Sequence, residues 1–128
     1  MSFEDKEGVT ANARCQKNTR HIISTAEFGK MKKGVAIVNT ARGAVMDEAA
    51  LVEALKSGQV LSCGLDVYEE EPKIHPGLVE NPHVMLLPHM GTWTVETQTA
   101  MEEWCIGNVR SAIEMGKLKS PVPEQADL

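Results

Sequence analysis

The sequence lacks several things that would each have settled its chemistry. It has no Gly-x-Gly-x-x-Gly turn, so the usual cradle for a dinucleotide pyrophosphate is not among its 128 residues. Gly29 and Gly34 stand at phosphate-loop spacing, but Val35 occupies the position that such a loop gives to lysine. No Gly-x-Ser-x-Gly elbow points to a hydrolase. No His-Glu-x-x-His occurs, and His21, His75, His83 and His89 lack metal-ligand spacing, so no metal site is expected. Basic residues are not in excess: the net charge of −5 argues against a nucleic-acid partner. No apolar run reaches the length of a membrane span, and Met1–Glu7 has no signal-peptide core. Cys15, Cys63 and Cys105 are odd in number and form no Cys-x-x-Cys pair, which points to reduced thiols in a cytoplasmic protein. Aromatics make up only 4%, so aliphatic and methionine side chains must fill the core.

What is present reads as a soluble α/β domain, with 42% hydrophobic and 24% charged residues. Residues 1 to about 18 are polar and without period, and are expected to form a loose leader. Ser24-Thr25-Ala26-Glu27 has capping-box spacing and predicts a short helix through Phe28 to Met31, stopped by Gly34. Val35–Val38 predicts a strand with both faces covered, because no polar residue alternates in it. After the turn-like Asn39–Gly43, Asp47 can cap a helix with Ala50, Leu51, Ala54 and Leu55 on one face and Gly58 as its stop. Leu61–Val67 completes a strand–helix–strand unit with the usual right-handed crossover. Pro72, Pro76 and Pro82 predict a loop, and Val84–Leu87 a third strand. Thr94 can cap a helix reaching Met115, with Gly116 beyond it. At 1.5 Å per residue that helix would be about 33 Å long, enough to pass from one lobe of a protein to another. Pro121-Val122-Pro123 predicts an extended tail.

Three side chains lie just past predicted strands, where ligand chemistry gathers in open α/β sheets. Arg42 can grip a carboxylate through two parallel hydrogen bonds, or can simply pair with Asp47 or Glu48 at the surface. Glu71 is the last of three consecutive acids, which suggests a solvated loop, yet it directly precedes Pro72. His89 would be a usable acid near neutral pH beside a carboxylate, or a histidine with a backbone partner. Asp66, at the end of its strand, is either a ligand contact or a cap.

In order along the chain stand Met31-Lys32-Lys33-Gly34, Val38-Asn39-Thr40-Ala41-Arg42-Gly43, Asp47-Glu48-Ala49-Ala50-Leu51, Leu65-Asp66-Val67-Tyr68-Glu69-Glu70-Glu71-Pro72 and Leu87-Pro88-His89-Met90-Gly91. This series resembles the D-isomer-specific 2-hydroxyacid dehydrogenases, most closely the fungal glyoxylate/hydroxypyruvate reductase-like members, from about Asn18 to Gln125. The resemblance implies the C-terminal part of a Rossmann-like, parallel-sheet dinucleotide-binding domain plus a long returning helix. It implies Arg42 as the carboxylate-binding residue, His89 as the acid/base and Glu71 as its support. Asp66 would hold the nicotinamide carboxamide of NAD(H) or NADP(H). Thr40, Ala41, Arg42, His89 and Gly91 would line the same cofactor. The implied reaction is hydride transfer between that cofactor and a small 2-keto or 2-hydroxy acid such as glyoxylate or hydroxypyruvate. Formate is disfavoured, because formate dehydrogenases lack this Glu/His pairing. Trp93 is a candidate for the substrate pocket, with core packing as its alternative.

The expected organisation is a divergent leader at 1–17, a partial NAD(P)-binding domain at 18–93 carrying the catalytic residues, and a helix and tail at 94–128 returning toward a substrate-binding lobe. Residues 1–17 depart from the apolar strand that the family pattern places before Asn18. A truncated gene product, an alternative start or mis-splicing would give such a chain. The strand beside Val35–Val38 is then expected to be absent, leaving a sheet edge and helix-docking surfaces uncovered. Weak NAD(H) binding and self-association, as a homo-oligomer, would follow. The alternative function is a non-catalytic remnant that self-associates or pairs with a full-length homologue.

Overall fold

Val35–Asn39 (β2) and Val60–Leu65 (β3) form the centre of a four-stranded, all-parallel sheet in the computed structural model, which describes residues 8–11 and 19–122. Gly8–Ala11 (β1) lies on one side of them and Val84–Leu86 (β4) on the other, giving the order β1-β2-β3-β4. The register sets Val9 beside Ile37, Cys63 and Val84 across the sheet. The next inward row sets Asn39 beside Leu65 and Leu86, so β2, β3 and β4 end together. This shared end positions the residues that follow.

β1 corrects two expectations. The leader is not loose over Gly8–Ala11, and the edge of β2 is paired from Gly8↔Ala36 to Ala11↔Asn39. Four residues give too short a run for a period to show, and the strand is held by backbone hydrogen bonds that any sequence can supply. Cys15 and the remainder of the leader, within residues 1–7 and 12–18, lie outside the described residues, as does Pro123 of the tail.

One face of the sheet is packed. Glu48–Lys56 (α2) starts where Asp47 accepts the Ala50 N–H at 3.0 Å, and Gly58 turns the chain at φ +71° after it. Its buried stripe of Ala50, Leu51, Ala54 and Leu55 joins Ile37, Val35, Val60 and Leu65 in one core, with Phe28 and Leu78. Thr25–Phe28 (α1) opens with the Glu27 carboxylate accepting the Ser24 N–H at 3.2 Å. It stops at Phe28 and not at Met31: the chain beyond tightens to three-residue bonds, Lys30 N–H to the Glu27 carbonyl and Met31 N–H to the Phe28 carbonyl, and the Gln59 amide caps the Phe28 and Met31 carbonyls at 2.9 and 2.8 Å. Pro76–Val79 (α3) is a short helix inside the segment expected to be a loop. Pro76 tolerates the first turn, and the His75 Nδ1 accepts the Gly77 N–H at 3.1 Å.

Among the described residues, no helix of this unit covers the other face, against the expectation that β2 is covered on both sides. Val38 on β2 and Met85 on β4 are both exposed, Met85 to 67%. An uninterrupted apolar strand therefore showed what both faces can tolerate, while the helices of this unit occupy only one.

Residues 92–122 belong to a second compact unit. Val95–Met115 (α4) is capped by Thr94, whose hydroxyl accepts the Thr97 N–H at 3.2 Å, and ends at Gly116 with φ +66°. Its neighbouring tail folds back on it: Ser120 Oγ accepts the Trp104 indole N–H at 3.0 Å, and the Ser120 backbone N–H donates to the Asn108 side-chain oxygen Oδ1 at 3.0 Å. Trp93 is 71% exposed, so its core-packing alternative does not hold. No helix is long and apolar enough to cross a membrane among the described residues.

Candidate active site at the strand ends

Arg42 is carried by a turn that the chain closes on itself. Asn39, fully buried at the end of β2, accepts the Ala41 N–H at 3.1 Å and donates its amide to the Arg42 carbonyl at 3.2 Å. The Asn39 carbonyl also accepts the Asp66 N–H at 3.0 Å, which joins this turn to the end of β3. The Arg42 guanidinium is exposed and donates to the Ala41 carbonyl at 2.6 Å. Neither Asp47 nor Glu48 pairs with it, since both are engaged with backbone N–H groups. The surface-pair alternative for Arg42 is thereby excluded. Thr40 is exposed and Ala41 half-buried on the same turn.

His89 follows β4 in a left-handed conformation, φ +53°. Such a conformation is costly for a residue with a Cβ and persists where its surroundings enforce it. Asp66 enforces it. This buried carboxylate accepts the Met90 N–H and the Gly91 N–H, each at 2.8 Å and one on each oxygen. Tyr68 pins the other flank, its hydroxyl donating to the Leu87 carbonyl at 2.7 Å. Burial, chiefly, pushes the Tyr68 phenol upward, so it remains a donor. The two Asp66 oxygens serve the distant turn that presents His89, not a turn directly following their own strand.

Glu71 meets this turn. Its Oε2 stands 2.9 Å from His89 Nδ1, and its Oε1 accepts the Tyr68 N–H at 3.0 Å. The hydrogen bond from His89, then that from Tyr68, holds the Glu71 carboxyl below the usual glutamate range despite some desolvation, with a further contribution from the Arg42 charge. Glu71 is therefore not one more acid in a solvated run. Glu69 differs from it in binding Arg20 and His21; Glu70 is exposed like Glu71, so what sets Glu71 apart is its bond to His89 rather than burial. The trio thus shares one end of the sheet, with the Glu–His pair joined directly and Arg42 near enough to act on Glu71 by charge. His89 and Glu71 are about half and a third exposed, so a small molecule can reach them.

Sequence reasoning missed the residues that hold this site. Asn39 could have been found from an asparagine ending an apolar strand. Tyr68 carried no signal, since its partners are backbone carbonyls. Gly43 packs so closely on the Tyr68–Glu69 backbone that an added Cβ would fall 1.9 Å from the Tyr68 carbonyl. Among the described residues, no group of three or more His, Cys, Asp or Glu is arranged to hold a metal ion.

The family model for D-isomer specific 2-hydroxyacid dehydrogenase, NAD binding domain, matches residues 3–91, starting within the stretch taken as a divergent leader. The chain is 58% identical over 120 residues to 4-methyl-2-oxopentanoate reductase A of Aspergillus oryzae, covering 94% of this chain and 36% of that protein. It is similar to the crystal structure of a glyoxylate reductase from Paecilomyes thermophila, with a TM-score of 0.90 and 56% identity over 96% of this chain and 38% of that one. It also resembles an NADPH-dependent glyoxylate/hydroxypyruvate reductase from Sinorhizobium meliloti, in complex with NADP and malonate, with a TM-score of 0.88 and 30% identity over 92% of this chain and 37% of that one. The chain spans a little over a third of the length of these relatives. With its Rossmann-like parallel sheet and its matched cofactor domain, it belongs to the D-isomer specific 2-hydroxyacid dehydrogenase family.

Proposed function

We propose that this chain carries the catalytic residues of a nicotinamide-dependent oxidoreductase that interconverts a small 2-keto acid and its 2-hydroxy acid, glyoxylate and hydroxypyruvate being the leading substrates. The observation that carries the proposal is the Glu71–His89 hydrogen bond at the carboxyl end of a parallel sheet, in a chain of this family.

The donor set suits such a cofactor. Thr40, Ala41 and Gly91 offer accessible backbone at the strand ends, and Asp66, Arg42 and His89 surround it with polar groups. NAD(H) or NADP(H), when bound, supplies the hydride. Arg42 fixes the substrate carboxylate through its fork of N–H donors and so orients the keto carbon. Glu71, kept ionised, holds the proton on His89 Nδ1 and leaves Nε2 to exchange a proton with the substrate oxygen. The same carboxylate stabilises the imidazolium before its proton is given up.

In the same reading, residues 18–93 are the part of the cofactor domain that carries the catalytic residues, and residues 94–128 are the helix and tail directed to the substrate-binding lobe. The partner is a small acid and not a nucleic acid or a membrane. A cytoplasmic location is supported by the unpaired Cys63 and Cys105. Homo-oligomerisation is supported by the exposed apolar side chains of Val38 and Met85, which share one face of the sheet.

The test is a chimera in which this chain replaces the corresponding segment of the Aspergillus oryzae relative. NADH- or NADPH-dependent reduction of glyoxylate or hydroxypyruvate is expected, followed by absorbance. A folded chimera that reduces no 2-keto acid with either cofactor would refute the proposal.

A further inference from the structure

The loop that carries Glu71 is gripped by a side chain outside the trio. Glu48, the first residue of α2, accepts the Glu69 N–H on Oε1 at 2.6 Å and faces the His75 N–H with Oε2 at 3.4 Å. These two amides bracket Glu71. Glu69 directly follows Tyr68, whose own N–H binds Glu71 Oε1. The carboxylate of Glu48 is half-buried, and a charge-assisted bond to a backbone N–H is among the stronger ones in such a setting. Arg20 and His21 also reach this loop, but they bind the Glu69 side chain and leave its backbone free.

We propose that Glu48 is a positioning residue for the Glu71–His89 pair: by bridging Glu69 and His75 it fixes the turn from which Glu71 reaches His89 Nδ1. Its importance for turnover rests on the reading of His89 as the acid/base residue, whereas its effect on Glu71 does not. A catalytic carboxylate on a loop needs such support, because a displacement of about 1 Å can cost on the order of 100-fold in rate. Glu48 supplies it from the rigid end of a helix whose other face lies in the core.

The experiment follows the Glu71 side-chain carboxyl by carbon NMR during a pH titration of the full chain. The groups acting on Glu71 are His89, the Tyr68 N–H and Arg42. Wild type is compared with Glu48→Ala, Glu48→Asp and Glu48→Gln. In Glu48→Ala the Glu71 midpoint is expected to rise toward that of an unpaired glutamate, as its hydrogen bond to His89 is lost. Removing a negative charge alone would lower that midpoint, so the sign separates positioning from charge. Glu48→Asp keeps the charge but cannot span both amides, and is expected to raise the midpoint as well, which covers the case of a Glu48→Ala protein that does not fold. Glu48→Gln keeps one acceptor for the Glu69 N–H but sets an amide N–H2 donor against the His75 N–H, so it too breaks the bridge and is expected to raise the midpoint, by less than Glu48→Ala. A Glu71 midpoint that is unchanged or lowered in both Glu48→Ala and Glu48→Asp would overturn the proposal. The readout needs no turnover, so a failure of the enzymatic reading leaves it intact.

Discussion

Glu71 Oε2 and His89 Nδ1 stand 2.9 Å apart, and the bond between them lowers the Glu71 pKa more than any other interaction. A carboxyl whose pKa is depressed by folding stabilises the native state above its unfolded pKa and loses that contribution as pH falls through the folded value. The melting temperature of wild type should exceed that of Glu71→Gln near neutral pH. The gap should close as pH falls below the ordinary glutamate range. Calorimetry of both proteins across the acid range measures this, and a gap independent of pH would contradict it.

Gly43 should not tolerate a side chain. Its Cβ would collide with backbone atoms of Tyr68 and Glu69, which cannot rotate away. Gly43→Ala is expected to destabilise the chain by about 3 kcal/mol. Gly58→Ala makes the control: it meets open space at φ +71°, and a left-handed conformation costs a residue with a Cβ only about 1 kcal/mol. Urea denaturation of the two variants compares them directly, and equal losses would count against the close approach.

Asp66 should matter as an anchor whether or not cofactor is present. Losing two charge-assisted bonds to Met90 and Gly91 in Asp66→Ala is expected to cost about 3 kcal/mol. Amide exchange at Met90 and Gly91 should accelerate more than elsewhere. Exchange rates at those two amides that match wild type would show that another group holds the turn.

Within the chimera, Arg42 and His89 should separate kinetically. Arg42→Ala is expected to raise KM for the keto acid by roughly 10- to 100-fold, the value of a lost hydrogen bond to a charged group. His89→Ala is expected to lower kcat by about 10²- to 10⁴-fold, as for loss of a general acid. Steady-state kinetics that left both constants near wild type would dismiss the assigned roles.

The isolated chain should hold NADH weakly, because its sequence has no Gly-x-Gly-x-x-Gly turn for the pyrophosphate. NADH fluorescence should show no saturation in the micromolar range. Tight binding there would mean that the strand ends alone suffice.

The sequence made α2 and α4 legible through apolar or helical patterns with their own cap and stop, as Asp47 and Gly58 show for α2, and β2, β3 and the three-residue β4 through apolar runs set off by turn residues such as Pro82. β1 and α3 were not legible: one is four residues of edge strand, and the other hides between prolines. The open face at Val38 was misread, since apolar residues alone do not reveal whether anything covers them. At the site, Arg42, Glu71 and His89 were found from their strand-end positions and the ordered motifs around them. Asn39, Gly43, Glu48 and Tyr68 were not, because each acts on backbone groups, and the sequence does not show which backbone a side chain will meet.

The anchoring of His89 on both flanks bears on how the molecule opens. Leu87, Met90 and Gly91 are tied to residues 66 and 68 by side-chain bonds, and the Leu87 N–H binds the Leu65 carbonyl. The end of β3 and the histidine turn therefore form one cooperative unit of local unfolding. On the proposed reading, His89 would move only with that unit, and its local opening should require loss of the Asp66 and Tyr68 bonds together.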